Sequence, residues 1–218
     1  MKNVVVFGSG RHSKVIIDIL ERMGSYRIIG LIDEAREIGE QVMGYNVIGD
    51  LTVLKTYPHS IMGGIVAVGD NGARRELVNE IVKIDRDFIF IRAIHPSAVI
   101  GKYVSIGRGT AVMANAVINS DTTIGDHCII NTKSSIDHDC RLGNFVSIAP
   151  GSTLAGGVTV GNHSTISLGA NVIHNITIGE HTVVGAGSTV IKNIHAYAVA
   201  YGTPAKKIRA RAEDEKYL

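Results

Sequence analysis

A histidine stands between two aspartates in the run Ser135-Ile136-Asp137-His138-Asp139-Cys140. A carboxylate beside an imidazole orients the ring and raises its basicity, which is what a general base requires. The same residues also make an ordinary solvated turn, because aspartate favours turns. Spacing alone leaves both readings open. Cys140 lies close enough in sequence to offer a nucleophile instead. Three further runs, Gly8-Ser9-Gly10-Arg11-His12, Asp33-Glu34 and Gly69-Asp70-Asn71, join glycine to charged or polar side chains. The pair Gly8 and Gly10 begins a dinucleotide fingerprint, but Ser13 stands where its third glycine belongs. These glycines also suit a chain that simply turns.

The elements that would position these residues are of two kinds. From Ile94 to His195 the chain divides into blocks of six without an insertion, each opening on Val, Ile or Leu. Neither the 3.6-residue helix nor a long alternating strand has that period. A short strand and a tight turn do, and three such units close a triangular coil of eighteen residues. The openers then stack inside a prism. The fifth position is small (Ala98, Thr110, Ala116, Cys128) except at Ile176 and Ile194, and is expected to point inward where the wall is narrow. Cys140 occupies a fifth position, so it should be buried and inert. The second position is often glycine, including Gly101, Gly125, Gly143 and Gly161, which suggests corners that need positive φ.

Before the repeats, Lys2–Phe7 reads as a buried strand and Val15–Met23 as a helix. Arg27–Ile32 and Ile65–Val68 read as strands, and Ala73–Ile84 as a second helix. Strand, helix, strand with glycines after the strands predicts a small Rossmann-like α/β domain over 1–90. Ligands of such sheets lie at the carboxyl ends of the strands, which here means Gly8–His12, Asp33 and Gly69–Asn71. An all-β domain of stacked triangular coils over 91–195 and a C-terminal tail over 196–218 complete the expected plan.

Composition removes several classes of function. The 218 residues carry a net charge of +2, too balanced to argue for nucleic acid. No apolar run approaches the ~20 residues that cross a bilayer, and the first residues lack the form of a signal peptide. Two cysteines cannot frame a secreted disulfide scaffold. A cytoplasmic protein without membrane insertion is expected. His127, His163 and His181 share one corner column, with Phe145 filling the gap. Lacking converging carboxylates or thiolates, they predict a stacked ladder and no metal. His95 is expected at the domain junction. His174 falls in the column of His138 two coils on, and is expected to line the same groove.

The hexad run, together with Gly8–Lys14, Val66–Asn71, Ile94-His95-Pro96-Ser97-Ala98, Asn131-Thr132, Asp137-His138-Asp139 and Gly202-Thr203-Pro204-Ala205-Lys206, resembles a bacterial family. The family is that of the hexapeptide-repeat sugar acyltransferases, which includes the bacillosamine-pathway N-acetyltransferase and the sialic acid O-acetyltransferases. The resemblance implies that residues 91–195 form an all-β left-handed parallel β-helix. It also implies an acetyl-CoA-dependent N-acetyltransferase acting on a nucleotide-linked amino sugar for surface glycans, and a homotrimer. It makes His138 the proton acceptor, strengthened by Asp139. It places CoA between neighbouring β-helices, at positions matching Ser147, Gly156, Leu168 and Ala186. Relatives usually have His and Gly at the positions of Ser147 and Ala186. The sugar nucleotide would be held by Gly10, Arg11, His12, Asp33, Glu34, Gly69, Asp70 and Asn71. Relatives usually have Gly where Arg11 stands. Two other readings stay open: O-acetylation of a sugar hydroxyl, and a β-helix scaffold without catalysis.

Overall fold

The computed structural model describes residues 1–56, 61–213 and 215–216. Strand β1 (Lys2–Phe7) is an apolar run because it is covered on both faces, and Val4 through Phe7 are fully buried. The chain turns at Gly8 into α1 (Arg11–Met23), four residues earlier than the apolar spacing predicts. The early start comes from Ser13, whose buried hydroxyl donates to the Gly10 carbonyl (2.7 Å) and secures the first turn. Helix α1 stops at Gly24, which adopts the left-handed conformation (φ 63). Strand β2 (Tyr26–Ile32) then pairs parallel to β1.

The sequence pattern did not reveal the next two strands, β3 (Gln41–Val42) and β4 (Tyr45–Gly49). They form a hairpin through Met43 and Gly44, both at positive φ, as a two-residue turn demands. A short helix α2 (Val53–Thr56) follows, then β5 (Gly63–Val66) parallel to β1. Helix α3 (Asn71–Ile84) is capped by Asp70, whose carboxylate accepts from the Ala73 N–H at 3.0 Å. The sheet order is β3-β4-β2-β1-β5.

From β6 (Ala93–Ile94) to β22 (Thr189–Val190) a two-residue strand recurs at every hexad and feeds three parallel sheets in rotation. Partners lie eighteen residues apart, as in Ile118↔Ile136↔Leu154. The openers fill the prism, and Ile118, Ile130, Ile136, Ile148 and Ile166 are fully buried.

The second-position glycines are not the positive-φ corners expected of them. The left-handed position is the fourth of each block, not the second, from Tyr103 through Asp121, Asp139 and Asn175 to Gly187. The second-position glycines have ordinary φ and answer to close approach. A methyl on Gly101 would lie 2.7 Å from the Ser120 nitrogen, and one on Gly125 would lie 2.7 Å from the Gly143 carbonyl.

The segment expected as a tail contains β23 (Ala198–Gly202) and β24 (Ala205–Ala210). Strand β23 extends the sheet that begins at β6, and β24 folds back antiparallel on it. The outer face of that sheet receives the α/β unit: Ala111, Met113 and Ile129 share one core with Ile16, Leu20 and Ile91. A file of rings runs alongside. Phe90 meets His127 edge-on, and then His127, Phe145, His163, His181 and Tyr197 stack at 4.7–5.1 Å. The histidine planes are near parallel, so this is the expected ladder. Among the described residues no three His, Cys, Asp or Glu side chains group to hold a metal.

Candidate active site

His138 follows the strand Ser135–Ile136 at a prism corner. The Asp137 carboxylate sets the turn by accepting from the His138 N–H (2.9 Å) and from the Asn119 amide (2.8 Å). Asp139 is left-handed (φ 58), which folds its carboxylate back to the preceding ring, and Oδ2 lies 2.7 Å from His138 Nδ1. With the proton on Nδ1 facing that carboxylate, Nε2 keeps its lone pair. The hydrogen bond that its Nδ1–H donates to Asp139, followed by the charge of Asp137, raises the imidazole pKa above 6.5. The ring is largely exposed and open to a reactant. His174, two coils on, is also exposed.

Gly156 supports this ring. A methyl there would fall 2.7 Å from His138 Cε1 and 2.8 Å from Nε2. Cys140 points into the prism as expected. It is fully buried, its thiol donates to the Ala155 carbonyl (3.3 Å), and burial raises its pKa. That environment suppresses the thiolate a covalent route needs.

A cavity of about 600 Å³ lies where the strand-end loops meet the β-helix. Arg11, His12 and Gly69 line one side, and Ser147, Leu168 and Ala186 the other. Burial, assisted by the charge of Arg74, lowers the His12 pKa to about 4, so its ring is neutral, and among the described residues its buried Nε2 has no hydrogen-bond partner. A second cavity, of about 200 Å³, contains Gly8, Asp33 and Glu34. Burial pushes the Asp33 pKa up, but bonds from Ser9 and Ala35 outweigh it and hold the carboxyl below its usual value.

The remaining positions line neither of these two cavities. Asn71 is 1% exposed, and its amide is engaged by Ser147 Oγ, Thr165 Oγ1 and Arg74, so it joins the two units instead of facing a ligand. Asp70 is the cap of α3. Gly10 has open space around its α-carbon. Gly156 does not join Ser147, Leu168 and Ala186, but belongs with His138 on another prism edge. Nor does His138 line either cavity.

Arg74 escaped the sequence reading, since an arginine inside an amphipathic helix looks like any solvated one. It is 1% exposed and donates to the carbonyls of Val68, Gly69 and His127 at 2.8–3.0 Å, and to Asn71 and Ser147.

Residues 3–81 match the family model described as the PglD N-terminal domain, and residues 103–138 match that of the bacterial transferase hexapeptide repeats. Perosamine N-acetyltransferase from Caulobacter crescentus, solved with CoA and GDP-perosamine, is 40% identical. The match covers 95% of this chain and 97% of that one, with a TM-score of 0.87. The chain belongs to the hexapeptide-repeat sugar acyltransferases. A second member, the acetyltransferase domain of PglB from Neisseria gonorrhoeae, solved with acetyl coenzyme A, is 31% identical over 95% of this chain and 99% of that one, with a TM-score of 0.87. A curated relative, UDP-N-acetylbacillosamine N-acetyltransferase of Bacillus subtilis, is 36% identical over 116 residues. That match spans about half the length of each protein (52%). The two whole-length likenesses show that this acyltransferase shares its α/β unit and β-helix with both solved relatives.

Proposed function

We propose that the protein transfers an acetyl group from acetyl-CoA to the amine of a nucleotide-linked amino sugar, such as a 4-amino sugar, with His138 as general base. The observation that carries this reading is the 2.7 Å contact between His138 Nδ1 and Asp139, which leaves Nε2 to receive a proton. The sugar nitrogen attacks the thioester carbonyl and becomes cationic. His138 Nε2 accepts the N–H proton, the C–S bond breaks, and CoA departs as its thiol after protonation. Asp139 holds the ring and stabilises the imidazolium. The buried Cys140 favours direct transfer over an acyl-enzyme. The solved relatives bear on the substrates, having been captured with CoA and GDP-perosamine or with acetyl coenzyme A.

The working unit in this reading is a homotrimer. His138 and Gly156 lie on a different prism edge from the 600 Å³ cavity, so one chain presents the base and a neighbour presents the cavity. CoA would lie between them, against Ser147, Leu168 and Ala186. The sugar nucleotide would take Arg11, His12 and Gly69 for its diphosphate and sugar, and Asp33 and Glu34 for its nucleoside. Both substrates belong to the cytoplasm, and among the described residues no helix is long and apolar enough to cross a membrane.

Mass spectrometry of products from a panel of sugar nucleotides and free sugars with acetyl-CoA tests the proposal. N-acetylation of a nucleotide-linked amino sugar, lost in His138→Ala, is expected. Acetylation confined to free sugar hydroxyls would replace it with the O-acetyltransferase reading.

A further inference from the structure

The 200 Å³ cavity at the carboxyl ends of β1 and β2 has apolar walls from Ile32, Leu51, Val68 and Leu77. Its ionisable side chains are all acidic, namely Asp33, Glu34 and Glu80, and no basic residue lines it among the described residues. Such a cavity suits a flat ring and repels a phosphate. Asp33 is occupied by Ser9 and Ala35, at the strand end where parallel nucleotide-binding sheets meet a ribose. Glu34 comes from the loop after β2 and Glu80 from α3, and neither makes a hydrogen bond or ion pair among the described residues. The nearby cation, Arg36, is paired to Glu40 at 2.9 Å.

We infer that this cavity holds the base of the sugar nucleotide, and that Glu34 and Glu80 select guanine. The inference rests on the proposed function and deepens it. An ionised carboxylate only accepts hydrogen bonds. Guanine places two donors side by side, its N1–H and its N2 amine, and so matches a carboxylate with both oxygens. Uracil and thymine flank a single N–H with two carbonyl oxygens, which a carboxylate repels. Adenine and cytosine set their amine beside a ring nitrogen that also accepts. The aliphatic walls pack on either face of the ring without regard to base, so discrimination falls to the two glutamates.

Calorimetry on the whole protein with GDP, IDP and UDP tests this, since IDP lacks only the N2 amine. GDP should bind about ten-fold or more tightly than UDP, with IDP between them. The double variant Glu34→Gln, Glu80→Gln should lose about ten-fold or more in GDP affinity while keeping wild-type CoA affinity and melting temperature. Equal or tighter binding of UDP, or wild-type GDP affinity in the double variant, would overturn the assignment. If a UDP-linked amino sugar is then the one acetylated, the base assignment falls and the proposed function stands. If no nucleotide binds and a free sugar is acetylated, the proposed function falls as well.

Discussion

The imidazole of His138 lies directly over the α-carbon of Gly156, one coil further along the β-helix, with no room for a methyl between them. Gly156 has ordinary φ, so alanine meets no backbone strain there and the conflict is with the ring alone. Gly156→Ala should therefore push His138 off Asp139 and lower kcat by about 10²-fold, as a misplacement near 1 Å can do. Steady-state kinetics beside a thermal melt would check it. Unchanged turnover would mean that the ring works from another position.

His138→Ala should lower kcat by roughly 10²–10⁴-fold with CoA affinity intact. Asp139→Asn should do less harm and move the pH profile. Activity needs neutral His138, whose pKa is raised by Asp139, so the acid limb of wild type lies above 6.5. Removing the carboxylate should shift that limb to lower pH, as pH–rate curves of the two proteins would show.

Arg74 fastens the Gly69 carbonyl on one side and the His127 carbonyl on the other. Arg74→Met leaves buried acceptors unmet and should destabilise the fold by about 3 kcal/mol or more in denaturant titration. Because Gly69 lines the large cavity, the sugar-nucleotide KM should rise more than the CoA KM. Equal effects on both would reduce Arg74 to a structural rivet.

Acid should loosen the junction between the two units. His12 and His127 are held near a pKa of about 4, each first by burial, against 6.5 for a free imidazole. Between those values the unfolded chain binds protons that the folded chain refuses, so stability falls as pH drops from 6.5 towards 4. The loss is on the order of 2 kcal/mol per histidine by pH 5. His127→Phe keeps the ring stack and should flatten the dependence, as melting temperatures at pH 7 and pH 5 would reveal.

If the base and the cavity come from different chains, two dead variants should rescue each other. Chains with His138→Ala mixed with chains carrying Leu168→Arg, after unfolding and joint refolding, should regain activity neither has alone. No recovery in a confirmed mixed trimer would mean that each chain completes its own site.

The hexad period was decisive on its own, because a strand of two residues and a fixed turn leave no other way to bury an aliphatic opener every six positions. The same local logic exposed His138 with Asp139, since adjacent residues at a left-handed corner must meet whatever surrounds them. Cys140 was legible for the same reason, its block position deciding its direction. The hairpin Gln41–Gly49 was not legible, because two-residue pairing is too short for periodicity to register. The roles of Gly156, Asn71 and Arg74 had to wait for the tertiary structure. Gly156 is a glycine because of a ring eighteen residues away, Asn71 turns from a nucleotide loop into the domain junction, and Arg74 is buried only because the β-helix covers it. Contacts between distant segments depend on how the two units dock, and no local pattern of residues encodes that.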